Sequence, residues 1–431
     1  MTQVQTTTAA RGLVIAAPSS GSGKTTLTLG LLRALRRRGV DVAGAKCGPD
    51  YIDPRFHEAA CGAECPNLDG WAMTPARLRQ IYPANELVIV EGVMGLFDGS
   101  ADGRSSTAEL AKTLQLPVVL VVDCARMAQS LAALVAGFCT HDPDVHLAGV
   151  ILNNVGSDRH ERLLRDAMQP SHLPILGAVR RAPGLAHPAR HLGLVQAREH
   201  PELDAFVERV ADHVTTHCDL DALRDLARRA APAPQACARA APPAQRIAIA
   251  QDAAFAFAYP HLLADWRAAG AEMSFFSPLD DQVPGPADMI FLPGGYPELH
   301  AGRLAAAHGF KSAIRDAAAQ GTEIYGECGG YMCLGQTLTD AQGHNHDMLG
   351  LLDLHTTFAE RKLHLGYRKV SADAGPFAGA WAAHEFHYAT TSRARGTRLF
   401  TAHDAWGQEL APMGLVNGSV SGSFAHLIDP L

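Results

Sequence analysis

The sequence predicts an α/β protein of two domains, the first built on a doubly wound, mostly parallel sheet. Three observations carry this. From residue 12 to about 230, strand-length apolar runs alternate with helical patterns. A stretch rich in proline and alanine, "RRAAPAPQACARAAPPAQR" (228–246), then breaks the alternation, and a second series of strands begins at "RIAIAQD". Most of the runs are continuously apolar, which suits strands covered on both faces of a parallel sheet. The length of 431 residues is more than one hydrophobic core usually organises. The domains are placed at 1–230 and 246–431, with residues 231–245 as the linker.

In chain order, "LVIAA", "VDVAGAKC", "ELVIVEG", "LPVVLVVD", "LAGVILNN" and "PILGAV" read as the strands of the first domain. Between the first two, Leu27, Leu31, Leu32 and Leu35 recur at helical spacing up to Gly39. Residues 201–230 read as one or two helices with a polar face. The second domain continues with "AEMSFFSP", "ADMIFLPGG" and "GTEIYGECGG". Its last third changes to shorter strands and turns, "LGLLDLHTTF", "LHLGYRKVSA", "EFHYATT" and "GLVNGSVSGSF". No internal repeat is visible.

Composition narrows the function classes. The chain is 47% hydrophobic and 19% charged, with net charge −7, which argues against a general nucleic-acid binder. No apolar stretch reaches the ~20 residues of a membrane span, and "MTQVQTTTAARG" has no apolar signal core. Nine scattered cysteines, without paired C-x-x-C spacing, read as reduced thiols of a cytoplasmic protein. "CGAEC" (Cys61, Cys65) lacks the second pair that structural zinc needs.

The first chemical motif is "APSSGSGKTT" (17–26), a phosphate-binding loop pattern with Pro18 where the leading glycine usually stands. Strand, glycine loop and helix is the context that lets backbone N–H groups converge on phosphate oxygens. Gly21, Gly23 and Thr26 belong to that cradle, Lys24 would reach the β- and γ-phosphates of ATP, and the Thr25 hydroxyl would ligate Mg2+. Parallel-sheet sites form at the carboxyl ends of strands. "KCGPDYIDP" therefore brings Lys46, Asp50, Tyr51 and Asp53 close to the phosphates, and "EGVMGLFDG" brings Glu91 and Asp98. Asp50 and Glu91 serve there as Mg2+ ligands or as helix caps. Asn153 and Asn154 either read an adenine edge or make a turn, and Asp123 is either a more distant magnesium residue or a cap.

The second motif is "GTEIYGECGGYMCLG". Cys328, flanked by small residues where a strand meets a helix, has the sequence of a nucleophile elbow. A helix N-terminus behind it is expected to lower the thiol pKa. Gly294 and Gly295 of "FLPGGYPE", with Gly329, can supply N–H donors to an oxyanion. Cys333, one turn on, reads as core. A cysteine nucleophile needs a base, offered by His426 in "SGSFAHLID" or by His384 and His387 in "HEFHY".

"GECGGYM", "PGGYPE" and "SFAH" together resemble the triad-type (class I) glutamine amidotransferase domain. "APSSGSGKTT", "KCGPDYIDP" and "EGVMGLFDG" resemble the dethiobiotin-synthetase-like ATP domain. Joined in this order, the two resemble the cobyrinic acid and hydrogenobyrinic acid a,c-diamide synthase family over essentially the whole chain except the linker. The resemblance implies that Cys328 attacks glutamine with His426 as base. It implies that the ATP domain phosphorylates a macrocycle carboxylate, which the released ammonia converts to an amide. It places Lys24, Thr25, Asp50 and Glu91 at ATP and Mg2+, and Tyr51, Asp53 and Asp98 near a corrin-type polycarboxylate. Glutamine, ATP and the macrocycle are thus the expected partners, without nucleic acid or membrane, and a homodimer is left open. Ile428 departs from the pattern, because triad amidotransferases carry glutamate two residues after the histidine; Asp429 is the adjacent acid. Two other readings are cobyric acid synthase and a partitioning-type P-loop switch, the second of which has no use for Cys328.

Overall fold

The computed structural model describes residues 10–185, 189–190, 193–194, 202–233 and 237–431. Part of the expected linker (234–236) lies outside the described residues. The chain divides into two compact units after Cys237.

In the first unit, β1 (Arg11–Ala16) runs through the glycine loop into α1 (Lys24–Arg37), and β2 (Val42–Cys47) leads to α2 (Asp53–Cys61). There follow β3 (Asn67–Leu68), α3 (Pro75–Ile81), β4 (Leu87–Glu91), α4 (Thr107–Leu114), β5 (Val118–Asp123) and α5 (Ser130–His141). After these come β6 (Leu147–Val155), α6 (Asp158–Met168) and β7 (Ile175–Arg180). A small hairpin, β8 (Ala189–Arg190) with β9 (Gly193–Leu194), precedes α7 (Leu203–His217), α8 (Leu220–Leu226) and β10 (Arg228–Arg229). The main strands lie parallel in the order β3-β2-β4-β1-β5-β6-β7. The valine-rich β5 is buried from Val118 to Val122, as a strand with helices on both faces must be. Leu27, Leu31, Leu32 and Leu35 are all buried on α1.

The proline- and alanine-rich stretch begins as structure rather than as linker. Arg228 and Arg229 pair antiparallel with β1, and the N–H of Ala231 donates to the Leu114 carbonyl. Backbone pairing at a sheet margin needs no branched apolar side chain, so composition does not reveal it.

The second unit opens with β11 (Arg246–Ala250), α9 (Pro260–Ala268), β12 (Glu272–Phe276), β13 (Met289–Leu292), α10 (Ala301–Ala306), α11 (His308–Ala319), β14 (Glu323–Glu327) and α12 (Gly329–Leu334). It continues with β15 (Thr337–Thr339), β16 (Asn345–Asp347), β17 (Asp353–Thr357), β18 (His364–Ala372), β19 (Gly379–His387), β20 (Thr390–Arg395), β21 (Phe400–His403), β22 (Glu409–Met413), β23 (Leu415–Asn417), β24 (Val420–Ser423) and β25 (Ala425–Pro430). Its main sheet has the order β12-β11-β13-β14-β24-β23, parallel except for β23. Two further sheets, β16-β15-β17-β20 and β22-β21-β18-β19-β25, account for the short-strand third. The last of them carries His426 on β25.

Candidate active sites

In the first unit the loop after β1 turns through Gly21 and Gly23, both at positive φ, and hands the chain to α1 at Lys24. The Asn153 amide, at the end of β6, donates to the Ser22 carbonyl at 2.9 Å. Asn153 thus ties the phosphate loop in place, a role missed by the sequence alternatives of base reading and turn. Asn154 lies within β6, where the strand's register shifts, at φ 59°, and donates to Asp123, whose oxygen also caps Ala125 N–H. A cleft of about 720 Å³ opens beside the loop, and Lys24, Thr25, Asp50, Asp53 and Glu91 and the apolar Val179, Leu185 and Val210 are among the residues that line it.

Register explains the charge cluster in this cleft. Lys46 and Glu91 are direct partners across β2 and β4, and their side chains meet at 2.9 Å. Thr25 donates to Glu91 at 2.6 Å and lies 3.4 Å from Asp53, which Lys46 also binds. Burial works against the Lys46 ammonium, yet Asp53 and Glu91 hold its pKa well above the ordinary value. Against the same cost of burial, Lys46 and His57 hold the Glu91 carboxylate well below its usual range. Burial and the Asp53 charge push Asp50 up to about 6; its Oδ1 accepts the N–H groups of Ile52 and Asp53. Lys24 Nζ donates to the Met94 carbonyl at 2.6 Å, and burial lowers its pKa.

Hard oxygen donors suit a cation such as Mg2+, and Asp53 Oδ1 is buried without a hydrogen-bond partner among the described residues. The donor set therefore fits the expected ion. Asp53, which the resemblance sets near the macrocycle, stands in this cluster at the start of α2, where Lys46 binds it. Asp98 is exposed and closes a turn on Gly95 N–H, and Tyr51 is buried in the loop before α2. His57 was not found from sequence. On α2 just beyond "KCGPDYIDP", its Nε2 lies 2.7 Å from Glu91 and its Nδ1 3.5 Å from the Cys65 thiol.

In the second unit Cys328 sits at φ 47°, ψ −99°, between β14 and α12. A side chain held at that backbone conformation is strained, and such strain concentrates at functional turns. The turn is possible because its neighbours are small: a Cβ on Gly330 would lie 1.9 Å from the Leu292 carbonyl oxygen. Cys328 N–H donates to Ser423 on the adjacent β24, and a Cβ on Gly329 would come within 2.9 Å of the Gly295 nitrogen. Gly294, Gly295 and Gly329 thus converge on the nucleophile turn. The Gly294 carbonyl is engaged by Phe257 N–H. Cys333 is buried in the core.

The expected lowering of the thiol pKa is not what this environment produces. Burial, then Glu298 and Glu327, push the Cys328 thiol up, against the single Gly329 N–H that favours the thiolate. The six-residue α12 is too small a counterweight. His426 is completely buried, and burial, with His384 and His387 nearby, holds it well below the ordinary histidine pKa, so its ring is neutral. Its ring lies against Gly294 and Phe257, and its Nδ1 is 3.8 Å from Glu327 Oε1. His384 is its partner across β19 and β25, pushed down to about 4 by burial. His387 instead bonds Ala389 O and Glu385. His364, Glu385 and His387 cluster within 4.8 Å, but Arg368 already binds Glu385 at 2.8 Å and matches its charge.

Comparison with known proteins agrees with this division. Residues 13–195 match the CobQ/CobB/MinD/ParA nucleotide binding domain, and residues 246–429 the CobB/CobQ-like glutamine amidotransferase domain. A hydrogenobyrinate a,c-diamide synthase of Brucella anthropi is 55% identical over 429 residues, covering 97% of this chain and 98% of that protein. The enzymes of that name from Brucella suis biovar 1 and Rhodobacter capsulatus are 56% and 53% identical, with the same coverage of both chains. The chain belongs to the hydrogenobyrinate a,c-diamide synthase family.

Proposed function

We propose that this protein is a glutamine-hydrolysing ligase that uses ATP to convert the a and c carboxylates of hydrogenobyrinate, or of its cobalt-containing counterpart, into amides. The observation that carries the reading is the presence in one chain of a phosphate-loop carboxylate cluster and a strained thiol elbow. It is supported by full-length relatives named for this reaction. No described helix is long and apolar enough to cross a membrane, and we place the enzyme in the cytoplasm with its supply of ATP and glutamine.

In the glutaminase half, His426 takes the Cys328 proton as sulfur attacks the glutamine amide carbon. The N–H groups of Gly295 and Gly329, with that of Gly294, bind the developing oxyanion. His426 then returns the proton to the departing nitrogen, which leaves as ammonia, and water releases glutamate from the thioester. With both thiol and imidazole neutral at rest, proton transfer must accompany attack, which suits a low idle glutaminase rate.

In the other half, the loop N–H groups and Lys24 hold the phosphates while a substrate carboxylate oxygen attacks the γ-phosphorus and ADP leaves. Thr25, Asp50, Asp53 and Glu91 would hold Mg2+, which when bound supplies positive charge to the β- and γ-phosphates. Lys46 spans Asp53 and Glu91 and keeps the Glu91 carboxylate ionised for that task. Tyr51 and Asp98 remain assigned to the macrocycle side. Ammonia then displaces phosphate from the acyl phosphate to give the amide.

The test is incubation of purified protein with ATP, Mg2+, glutamine and each macrocycle in turn, with products read by mass. A diamide, formed with ADP in step with each amide, is expected. Absence of any diamide with both macrocycles would overturn the reading, and amidation of other side chains would favour a cobyric-acid-type ligase.

A further inference from the structure

The acid that orients His426 does not come from the position where triad amidotransferases carry it. Ile428 is fully buried and apolar, and β25 bulges there: Leu427 pairs with Ala383 and Asp429 with Ala382. The Ile428 carbonyl is meanwhile engaged by His261 at 2.7 Å.

Glu327 occupies the complementary place. It ends β14, immediately before the nucleophile, and is only 4% exposed. Its Oε1 accepts the N–H of Leu427 at 2.9 Å and stands 3.8 Å from His426 Nδ1. Among the described residues no lysine or arginine pairs with it. A buried carboxylate without a cation costs stability, and burial accordingly pushes Glu327 up to about 8. An apolar residue would serve the fold better at this strand end. The titratable groups around it are Tyr325 on its own strand, Cys328 at the turn and His426 on β25, with His384 and His387 of β19 beyond the histidine.

We propose that Glu327 is the positioning acid of His426, reaching the base from the nucleophile strand instead of from the histidine's own strand. The Leu427 N–H fixes the carboxylate beside Nδ1, which leaves Nε2 for the thiol proton. When Nε2 takes that proton, Glu327 stands beside the Nδ1–H of the imidazolium. Separations of this kind commonly shorten once substrate is bound. This inference rests on the glutaminase role of Cys328 given above.

The test uses Glu327→Gln, whose amide oxygen can still accept from Leu427 N–H, and Glu327→Asp, which keeps the charge on a shorter stem. Glu327→Gln is expected to lower kcat for glutamine-dependent synthesis about 10²- to 10⁴-fold, the range for losing an orienting acid. KM for glutamine and the ammonia-driven rate should hardly change, and Glu327→Asp should restore part of the loss. The stability readout has a definite sign. A carboxyl whose folded pKa is raised binds more protons in the fold, so folding stability falls as pH rises between 4.5 and about 8. Glu327→Gln removes this penalty, so its melting temperature should gain on the wild type as pH rises from 5 to about 8. Glutamine activity of Glu327→Gln within about threefold of wild type, or equal loss with ammonia, would overturn the proposal. If Glu327→Gln does not fold, wild-type glutamine use in Glu327→Asp, one methylene short of the ring, overturns it as well. A Cys328→Ala variant that keeps glutamine use would instead remove the glutaminase reading on which it rests.

Discussion

Replacing Gly294 by alanine probes His426, the proposed base, through a contact rather than through a functional group. A Cβ on Gly294 would lie 2.2 Å from His426 Cε1 and 3.1 and 3.2 Å from its two nitrogens. Carbon atoms settle at roughly 3.5–4.0 Å, so the ring or the loop must retreat by on the order of 1 Å. The ring has little room, being fully buried with Phe257 6.4 Å away between centroids. A displacement of that size at a reacting group costs about 100-fold in rate, and overpacking costs the fold about 1–3 kcal/mol. Alanine keeps the Gly294 N–H, so an oxyanion role alone would leave the variant nearly normal. The assay is glutamine- and ammonia-dependent synthesis on one preparation, with a thermal melt to confirm folding. We expect loss with glutamine and retention with ammonia. Wild-type glutamine use in a folded Gly294→Ala protein would refute the placement of His426 as the base.

Four further outcomes follow from the same geometry. Cys328→Ala should abolish glutamine use and spare ammonia-driven synthesis, as amide-product assays with each nitrogen source would show. Lys24→Ala or Glu91→Gln should lose product about 10²- to 10³-fold with either source, because each removes a charged contact near the transferring phosphoryl group. Asn153→Ala, which frees the Ser22 carbonyl, should raise KM for ATP roughly tenfold while leaving glutaminase intact. Asp429→Asn should leave glutamine use close to wild type if Glu327, 3.8 Å from His426 Nδ1, is the orienting acid; a large loss would return that role to Asp429.

The parallel strands were legible because a strand buried on both faces needs an unbroken apolar run, and "LPVVLVVD" has one. The phosphate loop and the cysteine elbow were legible because both demand glycine at fixed local spacing. What escaped the sequence is built between strands. Lys46 and Glu91 are 45 residues apart and meet only through the register of β2 and β4. Asn153 reaches the loop from a strand 131 residues on. Glu327 carries no signal of its own beside the cysteine until β25 brings Leu427 to it across 100 residues. The raised thiol pKa escaped for another reason: a helix N-terminus is visible in sequence, whereas the depth of burial that outweighs it is not.

The central claim is that one chain releases ammonia at Cys328 and spends ATP on the carboxylate that receives it. Glutamine labelled with heavy nitrogen in its amide tests it directly, with the macrocycle product read by mass in the wild type and in Cys328→Ala. The account predicts label in both new amides of the wild type, none from glutamine in the variant, and full labelling of the variant's product from heavy ammonia. Label passing from glutamine to product in Cys328→Ala would contradict it.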